Sequence, residues 1–138
     1  MPRDLVYRRL PDERMWWRVA QAHWGDPLSP EFSKKTGGRW NPPGGFPALY
    51  LNADKRTARC NARAFFGNGP YEPEDLRDEA APVLVGCRLP SKQDVCDAFS
   101  EEGVLAAGLP ATYPLDARGS VVDHSTCQDI GMQVRTEG

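Results

Sequence analysis

The sequence predicts a single, loop-rich α+β domain over residues 1–138. Three observations carry that expectation. A chain of 138 residues has single-domain length, enough to bury roughly two-thirds of its unfolded surface. Thirteen prolines and thirteen glycines break it into many turns. Between the turns, helical spacing and strand-like runs succeed one another, at an ordinary 40% hydrophobic and 26% charged content. No internal repeat and no long linker marks off a second domain.

Leu5, Val6 and Tyr7 begin a short strand that runs into Arg8 and Arg9. Asp12 and Glu13 follow Pro11 as first-turn acids of a predicted helix, which Gly25 closes. Trp16, Val19, Ala20, His23 and Trp24 recur there at helical spacing, as core positions do. Residues 26–38 read as a polar loop. Residues 48–52 read as a strand, with Tyr50 on the face opposite Leu49 and Leu51. A second helix covers 54–66 and ends at Gly67-Asn68-Gly69-Pro70, ahead of an acidic loop over 68–81. Residues 82–89 form a buried strand, and 90–119 mix turns with a short helix. The last helix begins at Ser125, because Ser-Thr-Cys-Gln fits a capping box.

The densest chemistry lies in Gly37-Gly38-Arg39-Trp40-Asn41-Pro42-Pro43-Gly44-Gly45-Phe46-Pro47-Ala48-Leu49-Tyr50. Glycines allow positive φ and close backbone approach, while prolines stiffen the turn. Such a segment can hold Arg39 as a fixed planar fork suited to phosphate or carboxylate. A hairpin with Trp40 in the core and Arg39 solvated fits the same spacing.

Composition excludes several classes. A net charge of −2 and a pI near 5.7 lack the basic face of a nucleic-acid binder. No apolar run approaches 18 residues, so no membrane span is expected. Met-Pro-Arg-Asp lacks the apolar core of a signal peptide, which leaves the cytoplasm as the expected location. Cys60, Cys87, Cys96 and Cys127 form no close pair, and His23 and His124 lack ligand spacing. The cysteines read as buried free thiols, and no metal site is expected.

Residues 37–43 and the Pro47-Ala48-Leu49-Tyr50-Leu51 that follow resemble the signature of the RES domain, whose members are NAD-consuming toxins of bacterial toxin–antitoxin pairs. The resemblance is concentrated at 37–61 and is weaker at 5–9 and 123–131. It implies a fold like that of ADP-ribosyltransferases, a compact α+β domain with a split, mainly antiparallel sheet flanked by helices. It also implies cleavage of the nicotinamide–ribose bond of NAD, a substrate rather than a resident cofactor, with phosphate or water as acceptor. A helix-turn-helix antitoxin is the implied protein partner.

By that resemblance the family arginine falls on Arg39, a second arginine on Arg8, the strand tyrosine on Tyr50 and the serine on Ser125, with Cys127-Gln128 also fitting. The family glutamate has no match; Asn61 stands in its place. The family's domain usually continues past its last helix into another strand, whereas this sequence ends at Gly138.

Loss of nicotinamide passes through an oxocarbenium-like state, which a nearby carboxylate stabilises electrostatically. Asn61 keeps the hydrogen bonding and lacks the charge, a loss on the order of 2.7–4 kcal/mol, about a hundred- to a thousandfold in rate. Spacing puts Ala58, Asn61 and Phe65 on one inward stripe. Arg8 and Arg39 read as phosphate-gripping groups, and Arg8 equally as a surface ion pair. Tyr50 reads as a nicotinamide or ribose contact, or as a core tyrosine. Ser125 reads as a helix cap at an anion-favouring helix start. Two functions follow: an NAD-degrading enzyme, or a catalytically weakened RES-like domain that binds NAD, ADP-ribose or another ribosyl compound.

Overall fold

A computed structural model describes residues 2–11, 14–21, 25–66 and 82–138. Eight elements follow one another among them: β1 (Tyr7–Arg9), β2 (Met15–Gln21), α1 (Glu31–Thr36), α2 (Lys55–Phe66), β3 (Pro82–Arg88), β4 (Asp94–Cys96), α3 (Glu101–Ala106) and α4 (His124–Glu137). They make two separate antiparallel pairs, β1 with β4 and β2 with β3, flanked by helices. The mixed, split antiparallel architecture is the one expected. None of these helices is long and apolar enough to cross a membrane.

Contacts divide the chain into two units: Met1–Leu10 with Pro30–Ala48 and Lys92–Gly138, and Pro11–Ser29 with Leu49–Ser91. The second unit corrects the sequence reading most sharply. Met15–Gln21 is a strand, not the predicted helix, and it pairs residue for residue with β3 from Met15 opposite Arg88 to Gln21 opposite Pro82. Trp16, Trp17 and Val19 favour a pleated surface, and a seven-residue segment interrupted by Arg18 carries no decisive period of its own. Asp12, Glu13, His23 and Trp24 lie outside the described residues, as do 67–81.

Trp17 organises this unit. Its ring lies across Gly86, where an added Cβ would stand 2.8 Å from the ring, and Lys55 Nζ sits 4.7 Å from the ring centroid. Its backbone bridges Asn52 through N–H···O bonds of 2.8 and 2.6 Å. Among the described residues, Asn52 alone of the predicted 48–52 strand makes a β-bridge. The start of α2 was legible: Asp54 accepts the Thr57 N–H at 2.7 Å, and Ala58 is buried one turn on.

In the first unit, α3, α4 and the turns between them close a core of Val104, Ala107, Leu109, Val122, Cys127 and Ile130, with Trp40 and Tyr113 packed against it. The predicted 26–38 loop contains α1, with Glu31 in its first turn, Lys34 and Lys35 in its last, and Gly37 at φ +71° ending it. The last helix starts earlier than predicted. Asp123, not Ser125, is its cap and accepts the Thr126 N–H at 2.8 Å. Of the four thiols only Cys127 is buried; Cys60 is exposed and Cys87 and Cys96 lie between.

Candidate active site

The glycine–proline motif folds onto itself before it meets anything else. Fully buried Asn41 donates to Ser33 O and to Phe46 O, both at 3.0 Å, and Ser33 Oγ in turn donates to Ala48 O at 2.7 Å. At Gly37 the positive φ and a Pro43 ring 2.8 Å from any added Cβ leave room for glycine alone. The motif is then fastened to α4. Gln128 Nε2 donates to Gly38 O at 2.8 Å, and Gly131 lies so close under Trp40 that an added Cβ would overlap the Trp40 carbonyl oxygen.

This clamp delivers Arg39 to the start of α4. Arg39 Nη1 donates to Val122 O at 3.3 Å and reaches Cys127 Sγ at 3.9 Å. Tyr113 packs against the same core, and burial raises its pKa from the ordinary tyrosine value. A guanidinium carries five N–H donors, and both contacts come from Nη1, which holds two of them. The other three, on Nε and Nη2, make no hydrogen bond among the described residues, which suits an incoming anion.

Ser125 sits on the same helix start. Its hydroxyl donates to Asp123 Oδ1 at 2.9 Å, so its oxygen lone pairs remain to accept a bond from a sugar hydroxyl or water. The Thr126 N–H, followed by the Ser125 hydroxyl, holds the Asp123 carboxyl below its usual range. With that carboxylate over the first turn, the helix start is no longer a bare anion site.

Arg8 takes the ion-pair course. Its Nε donates to Asp97 at 2.6 Å and its Nη2 to Glu102 at 2.9 Å. Fully buried Asp97 also accepts the Ser100 hydroxyl and the Phe99 and Ser100 N–H groups, and these bonds, the Ser100 hydroxyl foremost, hold its carboxyl far below the normal range.

Tyr50 and Asn61 belong to the other unit. Tyr50 is exposed between half-buried Leu49 and Leu51, as the alternation predicts. Asn61 is exposed rather than turned inward beside Ala58, and its Nδ2 donates to Asn52 Oδ1 at 2.6 Å. Asn52 Nδ2 passes the chain on to Trp17 O at 3.1 Å. The Asn61 amide is thus part of a ladder anchored on β2. The side chain of Phe65, the third residue of the predicted stripe, lies outside the described residues.

Sequence reasoning passed over Arg18. It is half-buried in β2, and burial lowers its pKa from the ordinary arginine value. Its signal was a lone arginine inside Trp-Trp-Arg-Val-Ala, masked by the helical assignment.

A separate cavity of about 630 Å³ opens in the first unit, lined by Trp40, Phe46, Cys96, Phe99, Ile130 and Val134 among others. Neither Arg39 nor Ser125 lines it. Among the described residues no group of three or more His, Cys, Asp or Glu side chains is placed to hold a metal ion.

The family model of the RES domain matches residues 15–138. The chain belongs to the RES domain family. Arg8 falls before the first matched residue, while Arg18, Arg39, Tyr50, Asn61 and Ser125 fall within the match. The fold is similar to a chain in the crystal structure of the M. tuberculosis MbcT–MbcA toxin–antitoxin complex, with a TM-score of 0.73 and 26% identity over 96% of this RES domain. The RES domain spans 66% of that chain's length. No curated protein matches the chain.

Proposed function

We propose that this RES domain is the toxin of a toxin–antitoxin pair and that it consumes cellular NAD in the cytoplasm. NAD serves as substrate, not as a resident cofactor, and a helix-turn-helix antitoxin is its protein partner. The observation that carries the reading is Arg39, held at the start of α4 by the family's own motif with donors to spare. The family match over 15–138 and the likeness to a chain from a toxin–antitoxin complex support it.

In this reading Arg39 grips phosphate oxygens of the dinucleotide or of an incoming phosphate. Tyr50 meets the nicotinamide or its ribose, Asn61 hydrogen-bonds a ribose hydroxyl, and Ser125 accepts another. Arg8 acts structurally through Asp97 and Glu102. The C1–N bond breaks with its electron pair passing to the pyridinium nitrogen, so nicotinamide leaves neutral. An oxygen of phosphate or water bonds to C1 and gives up its proton.

A second reading rests on Asn61. A neutral amide already bonded to Asn52 offers the developing cation no charge, which favours a domain that binds NAD or ADP-ribose with slow turnover. Calorimetry tests what both readings share. NAD should bind the native chain, and Arg39→Lys should weaken binding sharply, since a point charge cannot copy a planar fork. Equal NAD affinity in Arg39→Ala removes Arg39 from the site.

A further inference from the structure

The cavity beside Trp40 has no part in the reading of Arg39. Three segments of the first unit enclose its volume of about 630 Å³: the glycine–proline motif, β4 with the residues after it, and the second half of α4. Volumes of this order hold small organic ligands, in sites that combine apolar walls with a few placed polar groups. Trp40, Phe46, Ile130 and Val134 supply apolar walls, and Phe99, another lining residue, stands 80% exposed. Only Asp94 and Arg135 among the lining residues carry charge.

Those two charges are not equivalent. Asp94 Oδ1 accepts Arg9 Nε at 2.7 Å, so its charge is already met. The Arg135 guanidinium lies 5.8 Å from the Phe46 ring centroid and has no carboxylate partner among the described residues. An apolar cavity thus carries one uncompensated cation, placed over one of its aromatic walls. That pattern selects the occupant. An apolar body takes the Trp40 and Phe99 surface out of water, and an acidic group at its end meets Arg135. Enclosure by three segments suits a compact body rather than an extended chain.

We propose that this cavity binds a small amphipathic monoanion, an aliphatic or aromatic carboxylate whose apolar body packs on Trp40, Phe46 and Ile130 and whose carboxylate pairs with Arg135. The proposal stands apart from the NAD reading, because neither Arg39 nor Ser125 lines the cavity. Trp40 and Gly131, whose close contact fastens the motif to α4, both line it. An occupant therefore braces that contact and stabilises the folded chain by mass action.

The probe is decanoate, added to the whole chain and followed by calorimetry, by the thermal midpoint and by iodoacetamide labelling of Cys96, which also lines the cavity. Burial pushes the Cys96 thiol up from its ordinary value, so labelling runs at about pH 9, with the modified cysteines located by mass spectrometry. Decanoate should bind one to one, raise the thermal midpoint, and slow labelling at Cys96 but not at exposed Cys60. Arg135→Gln should weaken decanoate about threefold and leave decanol, which has no charge, unchanged. Ala98→Trp, which fills the cavity from its wall, should abolish binding of both. Should Ala98→Trp fail to fold, protection of Cys96 in the native chain decides. No decanoate binding, or binding that leaves Cys96 labelling unchanged, overturns the inference. An equal effect of Arg135→Gln on decanoate and decanol, or none on either, overturns the anionic occupant. Protection of Cys96 by a short acidic peptide rich in leucine and phenylalanine, but not by decanoate, overturns the inference in favour of a protein occupant.

Discussion

Asn61→Glu puts a carboxylate where the proposed function aligns the family glutamate, and the structure sets what the change does to the fold. Asn61 now donates to Asn52 Oδ1 at 2.6 Å, and Asn52 donates onward to Trp17 O at 3.1 Å. A glutamate has no donor at neutral pH, so the Asn52 amide must turn over and offer its nitrogen to the new carboxylate. Trp17 O then loses the side-chain bond but keeps the Asn52 backbone N–H at 2.6 Å. One neutral bond is exchanged for one charge-assisted bond on an exposed helix face, a change within about 1 kcal/mol. The gain in the transition state is larger, on the order of 2.7–4 kcal/mol for one preorganised electrostatic contact. Nicotinamide release, followed by chromatography at saturating NAD, should therefore rise about a hundred- to a thousandfold. The NAD dissociation constant should stay nearly constant, because the charge acts on the developing ribosyl cation. A folded Asn61→Glu that binds NAD and releases nicotinamide no faster refutes the placement of Asn61 beside the ribose.

Two stability predictions follow from the packing of α4. Gly131→Ala drives a Cβ into the Trp40 carbonyl, which must separate the helix from the motif and lower stability by at least about 1–3 kcal/mol in denaturant unfolding; exposed Met132→Ala should stay within about 0.5 kcal/mol of the native chain. Tyr7 donates to Glu137 at 2.5 Å, and burial, followed by that bond, pushes its pKa up to about 12. An unfolded tyrosine titrates near 10, so this stabilisation is complete below about pH 10 and is lost as pH rises through about 12. The thermal midpoint should fall over that window, and fall less in Tyr7→Phe.

What was legible in the sequence was local. Asp54 with Thr57 announces α2, β-branched residues announce β3, and the Gly-Gly-Arg-Trp-Asn-Pro-Pro run announces a clamped arginine. What was not legible depends on partners distant in sequence. Met15–Gln21 is a strand because Pro82–Arg88 pairs with it, a contact that no window of either segment contains. The cap of α4 went to Asp123 because its carboxylate reaches Thr126 N–H two positions before the Ser-Thr-Cys-Gln pattern would place the cap bond. The support of Arg39 comes from Val122 and Cys127, 83 and 88 residues away. The motif gave the arginine, and the fold supplied the groups that hold it.

The central claim, that this RES domain acts on NAD through Arg39, is tested most directly by nicotinamide release. The native chain is incubated with NAD, with and without phosphate, and the products are separated beside those of Arg39→Lys. The account predicts nicotinamide from the native chain, paired with ADP-ribose in water or its phosphorylated form when phosphate is the acceptor, and a sharp loss in Arg39→Lys. Intact NAD in every sample, together with no NAD binding by calorimetry, would contradict it.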